Sequence, residues 1–168
     1  KANQEKLWQG IKNGDIQVVA TDHCPFSYEK EKVPMGKDDF TKCPNGAPGV
    51  EARMPVLFSE GVMKGRISIN KFVEVTSTNP AKICGMYPKK GSIAEGSDAD
   101  LVIFDKNKKV TITKSLFHEN VDYTSYEGIE LQGYPIMTIV RGKVIVKDNE
   151  FIGEEGYGQF IKRYKNDE

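Results

Sequence analysis

The 168 residues hold 24 Lys plus Arg against 24 Asp plus Glu, with 38% hydrophobic and 10% aromatic residues. That apolar share suffices for one packed core in a chain of single-domain length, and the balanced charge creates no field toward nucleic acid or an anionic membrane. The longest apolar runs, such as LVIF at 101–104, fall far short of the roughly 20 residues that span a bilayer; a small neutral substrate or a protein partner is expected instead.

QEKLWQGIKNG places Leu7, Trp8 and Ile11 at helical spacing, with Gly14 as its stop, which predicts a short amphipathic helix. IQVVAT follows, a β-branched run apolar on both faces, as expected of a strand buried in a parallel sheet. From Pro25 to Pro48 the composition turns to Lys, Glu, Asp, Gly and Pro without periodicity, a long connection of the kind kept for function or left mobile. GVEARMPVLFSEGVMKG restores a helical stripe through Met54, Leu57, Phe58 and Val62, with Pro55 in the first turns. Another helix is expected from about Asn70 to Thr76, then a short one in STNPAKICG, with Asn79 as cap, Pro80 at its first position and Gly85 closing it.

After Gly91 the period changes from 3.6 to 2. ADLVIFD, VTI and YPIMTIVRGKVIVKDNEFIG read as antiparallel strands with tight turns at Arg141-Gly142 and Asp148-Asn149. The charged tail from 151 to 168 is expected to fray or to cap a partner surface. Cys24, Cys43 and Cys84 are odd in number and scattered, which points to reduced thiols and a cytoplasmic location. The chain opens on Lys1, which suggests a piece of something longer.

The chemistry concentrates in VVATDHCPF, where an apolar run ends on Asp22, His23 and Cys24. Side chains alternate across a strand, so Asp22 and His23 do not readily converge on one ion, and three consecutive ligands lack the separated pairs of structural zinc sites. If Asp22 faces inward at the strand's C-terminal end, Ala20 beneath it leaves room for a metal or ligand, and α/β barrels place catalytic groups at such ends. The residues alone favour the plainer reading, a turn or cap aspartate. Asn45-Gly46 is likewise an ordinary turn signal.

TDHCPF, GKDDF at 36–40, PNGAPGVEARMPVLFSEGV at 44–62 and VEVTSTNPAKICGMYPKKGSIAEGSDADLVIFD at 73–105 together resemble the dihydropyrimidinase and D-hydantoinase family of cyclic amidohydrolases. The resemblance covers nearly the whole chain, with several separated motifs in the family's order. It implies an α/β fold: the C-terminal portion of a (β/α)8 barrel in residues 1–90, with 16–22 as its eighth strand, then an antiparallel β module at 91–150 belonging to a composite β-sandwich, then the tail. It implies two zinc ions per active site in the full-length enzyme, bridged by a carboxylated lysine and a hydroxide. Asp22 would be a zinc ligand that also shuttles the proton, and Asn45 and Gly46 would hold a small cyclic amide through main-chain groups. The parent enzyme would be a homo-oligomer, a tetramer.

His23 is expected to pack or hydrogen-bond beside the site, Cys24 to line the pocket as a small buried thiol, and His118 to lie on the surface or in the sandwich. The family's zinc site also needs a His-x-His pair, the bridging lysine and two further histidines, whereas this chain holds only His23 and His118. The chain alone is therefore expected to be inactive and to bind no catalytic metal tightly. Two other readings stay open: a non-catalytic relative such as the collapsin response mediators, which act through assembly, and an allantoinase or dihydroorotase. Asp22 and Asn45-Gly46 favour an enzyme, and CPNGAPGVE favours the hydantoinase group.

Overall fold

A computed structural model describes residues 3–163; the last residues of the charged tail lie outside them. The amphipathic N-terminal segment forms α1, Gln4–Asn13, which buries Ile11. Gly14 ends it in the left-handed region (φ +91°), donating its N–H to the carbonyls of Gly10 and Ile11, a position that favours glycine because it has no Cβ to clash.

The next segment departs from expectation. Residues 16–22 form no strand, because a strand is defined by its neighbours and, among the described residues, none lies alongside. Val19 instead donates its N–H to the Val75 carbonyl at 3.2 Å and accepts from Arg53 Nη1 at 3.0 Å. The N–H groups of Val18, Ala20 and Thr21 find no main-chain partner among the described residues. Among the described residues, the pairing nearest this segment is a one-residue parallel bridge between His23 and Ala47.

The connection from Pro25 to Pro48 is more ordered than its composition suggests. It holds a wide helical turn at Tyr28–Lys32, the one-turn α2 at Val33–Gly36 and a 3₁₀ turn at Phe40–Lys42. Beyond it, α3, Val50–Leu57, runs on into an i→i+5 stretch at Phe58–Met63, with buried Pro55 in the second turn of α3. The two helices expected after residue 68 are one continuous helical run: α4 at Ile69–Val73, wide turns at Glu74–Thr78 and α5 at Asn79–Ile83. Asn79 is thus no cap; its backbone is helical (φ −67°, ψ −43°) and its Nδ2 donates to the Gln17 carbonyl at 2.9 Å. The cap is Ser68, whose Oγ accepts from the Lys71 N–H at 3.1 Å. Gly85 closes the run as expected, at φ +65°.

A four-stranded antiparallel sheet follows in the order β1-β2-β3-β4: Leu101–Thr111, Glu130–Val140, Lys143–Lys147 and Glu150–Phe151. The two strands expected at ADLVIFD and VTI are the two ends of β1, separated by an irregularity between Asp105 and Lys109. Both predicted tight turns form. Val140 pairs with Lys143, and Lys147 with Glu150, so each hairpin loop has two residues. All four loop residues have positive φ (Arg141 +45°, Gly142 +79°, Asp148 +49°, Asn149 +68°), the type I′ geometry that suits strand twist.

Sheet and helices share their cores. Phe104 of β1 stacks on Phe58 with ring centroids 4.9 Å apart, and Phe72 meets both edge-on at 5.4 and 5.9 Å, the offset and T-shaped pairings aromatic quadrupoles favour. Gly133 of β2, at φ +86°, makes room for this: a Cβ there would lie 2.3 Å from Phe58 Cε1. A second cluster joins Ala52 of α3 to Ile112, Phe117 and Leu131. The sheet packs on the helices through both clusters, and α3 serves each of them.

Candidate functional site

The loop from 25 to 48 returns to its own start. Besides the His23–Ala47 bridge, the Cys24 N–H donates to the Ala47 carbonyl at 3.3 Å. Gly46, at φ +108°, lies against the same strip: a Cβ would meet Cys24 O at 2.4 Å and Cys24 Cβ at 2.7 Å. A side chain at position 46 is thus excluded by geometry and by backbone conformation together. The fold in this way brings TDHC and PNGA side by side, although 21 residues lie between Asp22 and Pro44.

Asp22 is exposed, its backbone left-handed at φ +49°. Its carboxylate makes no hydrogen bond or ion pair among the described residues, so both oxygens are free to take a ligand or a proton. Asn45 and Gly46 are exposed beside it in the chain path. Cys24 is exposed rather than buried, because its inner side is its carbonyl, covered by Gly46. All three cysteines are free thiols.

His23 is engaged through one ring nitrogen. Its Nδ1 accepts the main-chain N–H of Gly49 at 3.2 Å and of Val50 at 3.3 Å, capping the start of α3, where N–H groups lack partners within the helix. A nitrogen that accepts two hydrogen bonds carries no proton, so Glu119 Oε1, 3.8 Å away, is a neighbour and not an ion-pair partner. Glu119 Oε1 instead accepts the Glu51 N–H at 3.2 Å, and its Oε2 is buried without a partner. Glu51 reciprocates, accepting the His118 N–H at 2.7 Å and lying 3.0 Å from His118 Nδ1. His118 is exposed, as expected.

A second anchor holds the loop's first turn. Asp122 accepts from Ser27 Oγ at 2.9 Å, Tyr28 N–H at 2.6 Å and Glu29 N–H at 2.9 Å. These bonds, led by the two amides, pull its carboxyl down to about 2. Ser27 Oγ accepts from the Lys30 N–H, and Glu31 reaches back to the Ser27 N–H at 2.7 Å. From the end of this turn Lys32 Nζ donates to the Pro44 carbonyl at 2.6 Å, one residue before Asn45. Sequence reasoning missed Glu119 and Asp122, whose partners lie 68 and 93 to 95 residues away; the only local hint was Ser27 ahead of a charged run, a capping pattern.

Alongside Val19, Ala20 and Thr21 opens a cleft of about 430 Å³, walled by Trp8, Arg53 and Tyr126. Burial lowers the Arg53 pKa. Asp22, Asn45 and Gly46 lie outside the cleft lining.

A family model described as the amidohydrolase family matches residues 1–145. This chain belongs to the amidohydrolase family. The amidohydrolase chain is 48% identical over 165 residues to a D-hydantoinase of Geobacillus stearothermophilus, covering 98% of itself and 35% of that protein. Among solved structures, a D-hydantoinase from a Bacillus sp. AR9 superposes with a TM-score of 0.95 at 49% identity, covering 99% of this chain and 36% of the other. A dihydropyrimidinase from Brevibacillus agri NCHU1002 follows at TM-score 0.94 and 50% identity, covering 97% and 35%. This chain therefore spans about a third of the length of the relatives it matches.

The residues present do not by themselves make a metal centre. Among the described residues no three His, Cys, Asp or Glu side chains converge, and His23 spends its Nδ1 on α3. The Asp22 carboxylate has no partner among the described residues, and a carboxylate of that kind is chemically able to serve as a single metal ligand.

Proposed function

We propose that this chain is the C-terminal portion of a zinc-dependent cyclic amidohydrolase that opens the ring amide of hydantoins or 5,6-dihydropyrimidines. Residues 16–22 are the last strand of its barrel, and residues 91–150 supply part of a composite β-sandwich. The amides of Val18, Ala20 and Thr21 await neighbouring strands, and the parent enzyme is a cytoplasmic homo-oligomer. The observation that carries this reading is the free carboxylate of Asp22, held one residue before the bridge that brings up Asn45 and Gly46.

Zinc, when bound, makes hydroxide available near neutral pH and polarises the ring carbonyl. The chain's own part is proton transfer and positioning. Asp22 accepts the proton of the attacking hydroxide as its oxygen bonds to the ring carbon, and returns it to the amide nitrogen as the C–N bond breaks. Exposed main-chain groups at Asn45-Gly46 hold the cyclic amide, and the glycine lets that turn lie against Cys24. His23 does no chemistry; it fixes the strip on which Asp22 stands.

The test is zinc content and ring hydrolysis, on hydantoin and dihydrouracil, by the full-length protein and by this chain alone. Activity with zinc is expected in the full-length protein only. A full-length protein that carries zinc yet opens neither ring would overturn the reading in favour of a non-catalytic relative.

A further inference from the structure

Asp22 and Asn45-Gly46 are joined directly only by the strip at His23, Cys24 and Ala47. From Pro25 to Pro44, 20 residues run out and back, and a loop of that length does not fix its own tip. What fixes it comes from another part of the chain, the connection between β1 and β2. That connection, residues 112–129, sends in four side chains. Glu119 holds the Glu51 N–H at the start of α3, and Asp122 holds Ser27, Tyr28 and Glu29. The Tyr123 ring lies 5.8 Å from that of Tyr28, and Tyr126 lies against Gly49.

We infer that Asp122 is a positioning residue for the substrate loop, acting through the Tyr28–Lys32 turn and the Lys32–Pro44 contact on Asn45-Gly46; this rests on the function proposed above. The linkage has two steps. The Asp122 carboxylate takes the first two amides of the turn and the hydroxyl of its capping serine, which sets the turn's direction. The turn then delivers Lys32, at its far end, to the Pro44 carbonyl. Fixing that carbonyl fixes the peptide plane into Asn45. Asp122 touches no substrate, so its effect falls on the position of the amide-binding groups and spares the proton transfer at Asp22.

A positioning role of this kind has a kinetic signature. In the full-length protein, Asp122→Ala is expected to raise KM for hydantoin or dihydrouracil by about fivefold to tenfold, the worth of about one charge-assisted cap, with kcat within about twofold. Lys32→Met keeps an unbranched side chain but removes the donor to Pro44 and the ammonium over the Phe26 ring, and is expected to raise KM in the same sense. With both substitutions KM should rise no further than with the larger single effect, because the two act in series. Asp122→Glu, which restores the carboxylate, should recover part of the loss.

A second readout needs no turnover. In Asp122→Ala the peptide containing Tyr28 and Glu29 should exchange its amide hydrogens at least about tenfold faster, while peptides of α3 keep the parental rate. If exchange accelerates but the unsubstituted protein opens neither ring, the clamp stands and the proposed function falls. If exchange at 28–29 is unchanged, the clamp is wrong. The positioning role is also wrong if, in an active enzyme, KM is unchanged or kcat and thermal midpoint fall together with KM constant.

Discussion

Gly46→Ala is the sharpest single perturbation of the site. Two costs are separable in the structure. The first is conformational: at φ +108° an L-residue with a Cβ pays about 1–3 kcal/mol. The second is steric: the new methyl would lie 2.4 Å from the Cys24 carbonyl oxygen and 2.7 Å from Cys24 Cβ, whereas an ordinary contact needs about 3.5 Å or more. The obstructing oxygen is main chain, so it cannot swing aside, and the 45–47 strip must retreat from 22–24 by about an ångström. If the strip holds substrate as proposed, a displacement of that size costs on the order of 100-fold in rate. The expected outcome in the full-length protein is a fall of about 100-fold in kcat/KM for the cyclic amide, with a smaller loss of thermal midpoint. Gly96→Ala is the matched control, since Gly96 has φ +84° but nothing within 4 Å of its Cβ position; it pays the backbone cost without the collision. If Gly46→Ala keeps kcat/KM within about threefold of the Gly96→Ala value, the contact between the two strips does not set the site.

Asp22→Asn keeps size and leaves an exposed position exposed; it is expected to reduce ring hydrolysis at least about 1,000-fold at unchanged thermal midpoint, and parental activity in this variant would remove Asp22 from the mechanism. Gly133→Ala drives a methyl to 2.3 Å from the Phe58 ring at positive φ and is expected to cost about 3 kcal/mol in denaturant unfolding, a test of whether sheet and helices unfold together. Asp122 has a folded pKa near 2 against its ordinary 3.8. A carboxylate depressed in this way stabilises the fold fully above its unfolded pKa and loses that contribution as pH falls through the folded one. The clamp should therefore hold to about pH 4 and release between there and about pH 2, read as faster exchange at residues 28–29; release already at pH 6 would contradict the bonding geometry.

Local signals in the sequence were read correctly where one element decides the outcome. Gly14 and Gly85 end helices, and Arg141-Gly142 and Asp148-Asn149 make two-residue hairpins, because turn chemistry is settled within a few residues. The stripe through Met54, Leu57, Phe58 and Val62 lies in or against the first core. What local signals do not settle falls where distant chain decides. Residues 16–22 have the composition of a buried strand but no neighbours among the described residues to pair with. Asn79 reads as a cap because Asn-Pro favours helix starts, yet the preceding turn stays helical and Asn79 bonds Gln17 instead. Asp22 and Asn45-Gly46 could be picked out by resemblance, but their adjacency through the His23–Ala47 bridge is a tertiary fact.

The change from helical to alternating periodicity after Gly91 marks a change of secondary structure, which is not the same as a boundary between independent units. Phe104 enters the helical aromatic cluster, Gly133 yields space to Phe58, and the Gln132 N–H donates to Ser59 Oγ at 3.0 Å. More tellingly, the two carboxylates that hold the site strip from outside, Glu119 and Asp122, both belong to the β1–β2 connection. A loop carrying the turn proposed to hold substrate and a free carboxylate at its two ends gains nothing from flexibility in between, and its own lysine-rich, glycine-containing composition cannot supply rigidity. Rigidity is supplied by acceptors placed at exposed N–H groups, the one interaction that orders a turn without covering it in apolar surface. On this argument the sheet is part of the site's support, and a variant that loosens the 112–129 connection should be felt at Asn45-Gly46 before it is felt in the hydrophobic core.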